Sequence, residues 1–142
     1  IDANKIILVS ESNIRKMSNL KTTPGIIGLF KIKYNPYNLN LKNKIDSCFI
    51  LSEVSDPGNL GTIIRTSVAL NRKEIVLIGG CNPFSTKVIQ ASAGTISKIK
   101  IYKIEFEDFL KNRDEKIPIY GLDAKGTNLN DLGTAAFAIF PE

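Results

Sequence analysis

Glu53-Val54-Ser55-Asp56-Pro57-Gly58-Asn59-Leu60-Gly61-Thr62-Ile63-Ile64-Arg65-Thr66 begins where the apolar run Cys48-Phe49-Ile50-Leu51 ends, and it runs on into a helical pattern. Asp56 can accept hydrogen bonds from the first free amides of a helix, and Pro57 suits the first helical position. The glycines let a ligand or a neighbouring backbone come close. Leu60, Ile63, Ile64 and Val68 fall on one apolar stripe of the helix predicted over 57–70, whereas Thr62, Arg65, Ala69 and Arg72 share a more polar one. Arg65 therefore points away from the core. An arginine one to two turns into a helix, beside Asn59 and an amide-rich terminus, is placed to grip a phosphate or a ribose. A solvated surface arginine has the same pattern, and the local chemistry leaves both readings open.

Working outward, strand-like runs alternate with helical ones. Strands are expected at 48–53, 74–78, 99–104, 117–122 and 135–140, and helices at 57–70, 86–91 and 105–111. Short connections between them predict an α/β domain with a parallel sheet flanked by helices. Cys48–Leu51, Ile75–Ile78 and Ala136–Phe140 are continuously apolar, as strands covered on both faces should be. Before them, Lys5–Val9 and Ile26–Ile32 read as strands around a helix capped within Ser10-Glu11-Ser12-Asn13. The polar, proline-containing segment Lys33–Asn40 reads as a linker, so domains are expected over 1–40 and 41–142.

Composition removes whole reaction classes. There is no histidine, and Cys48 and Cys81 form no CxxC pair, so neither a zinc site nor a cysteine–histidine or serine–histidine pair has raw material. The two thiols are expected to be reduced core residues, and no metal is expected. A net charge of +5 suits a polyanionic partner, although a merely basic soluble surface gives the same number. No apolar stretch reaches the roughly 20 residues of a membrane span, and a cytoplasmic protein without membrane contact is expected. The chain starts at Ile1 rather than Met and stops at Glu142 after a strand-like run, from which truncation or processing of at least one end is expected.

The stretch from Asp56 to Thr66 resembles, nearly residue for residue, the first signature motif of the SpoU/TrmH-type RNA ribose 2′-O-methyltransferases of the SPOUT superfamily. Lys87-Val88-Ile89-Gln90-Ala91-Ser92-Ala93-Gly94 is similar to the block that follows it, with Gln90 where the family usually has arginine. Met17–Gly28 resembles the end of the small substrate-binding domain of ribosomal-RNA members. The resemblance implies transfer of a methyl group from S-adenosyl-L-methionine (SAM) to a ribose 2′-hydroxyl, in ribosomal RNA rather than transfer RNA. It implies a homodimer and a trefoil knot formed by later motifs. On the same basis Asn59 and Arg65 are the catalytic candidates, Leu122, Asp123 and Ala124 the cofactor-binding ones, and Lys87 and Ser92 the RNA contacts. Phe137–Glu142 resembles only the start of a further motif, with Pro141 in place of a glycine. The 142 residues by themselves are therefore expected to lack most of the cofactor pocket and to be inactive.

Two rivals remain. Gly58-Asn59-Leu60-Gly61 superficially resembles the GxxG loop of KH domains, which would make this a noncatalytic RNA-binding module, but that loop joins two helices and Cys48–Leu51 reads as a strand. A dinucleotide-binding domain would need the GxGxxG spacing, which is absent.

Overall fold

The computed structural model describes residues 3–18, 20–32, 35–36, 48–122 and 136–139, and the chain divides into two compact units, 1–32 and 33–142. In the first unit a short 3-10 turn at Ala3–Lys5 precedes α1, Glu11–Met17. The Ser10 side chain caps α1 by accepting from the Asn13 amide, and Arg15 pairs with Glu11 one turn back. The strands expected at 5–9 and 26–32 do not form; Ile7, Leu8, Ile26, Leu29 and Phe30 stand exposed in irregular chain. β-branched composition marks what fits a pleated surface, but a strand needs a partner, and none pairs with these runs among the described residues.

The second unit is the expected α/β sheet. Its elements are β1 (Asn35–Pro36), β2 (Phe49–Ser52), α2 (Pro57–Ala69), β3 (Glu74–Ile78), α3 (Thr86–Ala91), a 3-10 turn (Thr95–Lys98), β4 (Lys100–Lys103), α4 (Phe106–Asn112), β5 (Ile119–Gly121) and β6 (Ala136–Ile139). Six strands lie in the order β1-β4-β3-β2-β6-β5, every neighbouring pair parallel. Asn35 and Pro36, in the stretch expected to be linker, pair with Tyr102 and Lys103 at one edge. Two residues are too few to show a strand's periodicity.

Register explains why the central strands are apolar without alternation. Ile50, Val76 and Tyr102 lie side by side and form one core with Cys48, Ile78 and Phe109 of α4. Their neighbours Leu51, Ile75, Leu77 and Ile101 point to the opposite face and pack with Leu60 and Ile64 of α2 and Val88 of α3. Both faces are covered, as a parallel sheet requires.

On the second face α2 and α3 approach closely at Gly61. A Cβ there would meet the Ala91 side chain and lie 2.9 Å from the Val88 carbonyl oxygen. Alanine normally gains about 1 kcal/mol over glycine inside a helix. Here the obstacles include rigid backbone, and overpacking costs roughly 1–3 kcal/mol. Gly61→Ala should therefore lower the urea midpoint, and adding Ala91→Gly should recover part of the loss.

On the first face, burial pushes the Cys48 thiol up to about 12, with the Glu74 charge adding to it. Burial, and then Glu74, likewise raises Tyr102 to about 12. Both folded values exceed the ordinary 9.0 and 10.0 of the unfolded chain. Above about pH 9 the unfolded chain gives up protons that the folded one retains, so stability falls as pH rises towards about 12. Urea midpoints measured between about pH 8 and about pH 11 should show this fall, and Cys48→Ala should make it shallower.

Candidate functional site

Because the strands are all parallel, their carboxyl ends share one edge of the sheet, the place where open α/β sheets hold ligands. The chain leaves β2 towards β3 on one side, while β6 flanks β2 on the other. At this reversal of direction the β2–α2 connection forms an open cleft of about 370 Å³, lined by Glu53, Val54, Ser55, Asp56, Asn59, Thr62 and Ile63.

The sequence builds this cleft through local hydrogen bonds. Asp56, in an extended conformation, caps α2: its carboxylate accepts from the Asn59 amide at 2.7 Å, and its carbonyl from the Leu60 amide at 3.1 Å. Ser55 donates its hydroxyl to the Glu53 carbonyl at 3.0 Å, and Thr62 donates to the Gly58 carbonyl at 2.9 Å. Glu53 itself stands at φ +54, a left-handed conformation that costs a residue with a side chain on the order of 1 kcal/mol. Its amide donates to the Ile78 carbonyl at 2.8 Å, and its carboxylate accepts from the Gly80 amide at 3.3 Å. The Cys81 amide donates in turn to the Val54 carbonyl at 3.0 Å. Gly79 and Gly80 are both left-handed, and a Cβ on Gly80 would lie 2.7 Å from that same Val54 carbonyl oxygen. The loops after β2 and β3 are thus bonded to each other. Sequence reasoning missed Glu53 and this glycine pair; the available signal was Gly79-Gly80 directly after an apolar strand.

Of the residues singled out from the sequence, Asn59 is exposed in the cleft with Thr62 beside it. Arg65 is exposed too, but it does not line the cleft. Asn59, Thr62 and Arg65 form a row at three-residue intervals, placing the guanidinium's helix position about 9 Å along the axis from Asn59. Among the described residues Arg65 makes no ion pair. The polar stripe is as expected: Thr62, Arg65, Ala69 and Arg72 are all exposed. Lys87 is exposed on α3, which is capped by Ser85 and packs on α2. Ser92 departs from its expected part as an RNA contact. It is fully buried, and its hydroxyl donates back to the Ile89 carbonyl at 2.8 Å, so it closes α3 instead of facing a ligand. Leu122 is exposed directly after β5, at the same sheet edge as the cleft but two strands from β2. Asp123 and Ala124 lie outside the described residues.

A cleft at the carboxyl edge of a parallel sheet, entered through a proline-started helix with an asparagine on its first turn, defines an α/β protein with a candidate ligand site at the β2–α2 junction. Residues 46–140 match the SpoU rRNA Methylase family, and the chain belongs to it. It is 30% identical over 101 residues to the mitochondrial rRNA methyltransferase 3 of Xenopus laevis, a match covering 68% of this chain and 24% of that protein. The structure resembles an AdoMet-bound rRNA methyltransferase from Sinorhizobium meliloti with a TM-score of 0.80 and 25% identity, over 92% of this chain and 52% of the other. It also resembles a protein of the TrmH family from Porphyromonas gingivalis, with a TM-score of 0.57 and 29% identity over 65% of this chain and 40% of the other.

Asp56 both caps α2 and borders the cleft, so its carboxylate sets where Asn59 stands. Replacing an N-cap aspartate with alanine costs about 1 kcal/mol. Asp56→Ala should lower the urea midpoint accordingly, without loss of the folded circular-dichroism spectrum.

Proposed function

We propose that the full-length protein transfers a methyl group from SAM to a ribose 2′-hydroxyl of RNA, ribosomal RNA rather than transfer RNA. The observation that carries this reading is the Asn59-Thr62-Arg65 row beside a carboxylate-lined cleft. Glu53 and Asp56 border that cleft, which disfavours a phosphate there and favours a sugar that donates hydroxyl hydrogens. The exposed Arg65 guanidinium, further along the same row, suits the adjoining phosphate. The signature motif from Asp56 to Thr66 supports the 2′-hydroxyl as acceptor, and the AdoMet-bound Sinorhizobium meliloti relative supports the cofactor.

When bound, SAM supplies a methyl group already activated by its sulfonium charge. The share of this chain is alignment. Asn59 orients the ribose, and Arg65 holds the phosphate and stabilises the negative charge that grows on the attacking oxygen. A guanidinium is a poor base in water, so Arg65 acts through charge and hydrogen bonds. Leu122, Asp123 and Ala124 contribute a wall of the cofactor site, and Lys87 adds phosphate contact on α3. The first compact unit, residues 1–32, forms the end of an RNA-binding domain, and the working protein is a cytoplasmic homodimer. The matched region spans only 24% of the Xenopus laevis relative and 52% of the Sinorhizobium meliloti chain. On this reading the 142 residues are inactive alone.

The test is transfer of labelled methyl from SAM to ribosomal RNA taken from cells lacking the gene, catalysed by the full-length protein. Arg65→Ala and Asn59→Ala should each lower kcat by about a hundredfold while leaving the KM for SAM within about twofold. RNA binding without any transfer by the unsubstituted protein would favour the noncatalytic module instead.

A further inference from the structure

The cleft's own chemistry does not account for Glu53. A left-handed backbone is a place for glycine, and a charged side chain there persists only where the surroundings hold it. What holds it is visible. Its amide is bonded to the Ile78 carbonyl, its carbonyl to the Ser55 hydroxyl, and its carboxylate to the Gly80 amide. A side chain on Gly79 would collide with that carboxylate. The Glu53 side chain therefore spans from the loop that carries Asp56 and Asn59 to the loop that leads into α3. Asp56, the residue after Ser55, fixes the Asn59 amide at 2.7 Å. A shift of the β2–α2 loop thus moves Asn59 with it.

We propose that Glu53 is a positioning residue for the reaction proposed above. By clasping the Gly79-Gly80 turn, its carboxylate fixes the β2–α2 loop and through Asp56 sets where Asn59 meets the ribose. The inference rests on the methyltransferase reading. It goes further in assigning to the Glu53 carboxylate, which the Gly80 amide already engages, the work of holding the loop in place. The clasp needs a hydrogen-bond acceptor, not a charge, so glutamine should replace glutamate while glycine should not.

The experiment uses the full-length protein, with methyl transfer from SAM to ribosomal RNA and thermal unfolding measured on the same preparations. Glu53→Gly relieves the left-handed backbone, so its melting temperature should equal or exceed that of the unsubstituted protein. Its kcat should nonetheless fall about tenfold with the KM for SAM within about twofold, since small misplacements of aligned groups are costly. Glu53→Gln should recover the greater part of kcat. In thermal unfolding, Gly79→Ala should be less harmful in the Glu53→Gly background than alone, because its clash partner is gone. Transfer by Glu53→Gly within twofold of the unsubstituted protein overturns the proposal, as does a loss that only follows a lowered melting temperature. Absence of transfer by the unsubstituted full-length protein removes the methyltransferase reading, and this proposal with it.

Discussion

Every parallel strand must be left at its carboxyl end and re-entered from the far side, so the connections out of β2 and β3 crowd onto one edge. In this chain that crowding is resolved by hydrogen bonding between the connections. Glu53 reaches the loop after β3 and Cys81 reaches back to Val54, with Gly79 and Gly80 yielding the space. The cleft lies beside this junction, on the loop that carries Asp56 into α2. Below the edge, Gly61 lets α2 lie close to α3, and Leu60 and Ile64 then reach Leu51 and Leu77 on the sheet.

The division of chemistry along α2 follows from helix geometry. One face supplies Leu60 and Ile64 to the core, where both are buried, while Asn59, Thr62 and Arg65 climb the outer side. Asn59 and Thr62 belong to the cleft and Arg65 does not, so the two candidate catalytic residues address different parts of whatever binds. A nucleotide has such parts, a sugar and a phosphate on either side of it.

Legibility in the sequence varied with the kind of signal. The central strands and α2 could be read because burial on two faces or one stripe imposes long apolar patterns, and β3 and α3 were found at their observed limits, Glu74–Ile78 and Thr86–Ala91. The Asp56 cap and the exposed stripe through Arg65 were also readable, since each depends on residues within two helical turns. Unit 1 misled, because Ile26–Ile32 has the composition of a strand but no described partner. Ser92 misled in the opposite sense. A serine in a recognisable motif suggested contact with a ligand, yet its hydroxyl satisfies the end of its own helix. The Glu53 clasp could not have been found by pattern, because it is a hydrogen bond across 27 residues of chain. Of the expected cofactor wall, only Leu122 falls among the described residues.

A sheet's border offers hydrogen-bonding groups to any extended chain that drifts past, and long flat borders recruit further strands until they precipitate. Here the described border strands span two residues in β1 and three in β5, and one of the two in β1 is Pro36, which has no amide hydrogen to give. Among the described residues these borders are short, and a short border is a poor template for a foreign strand.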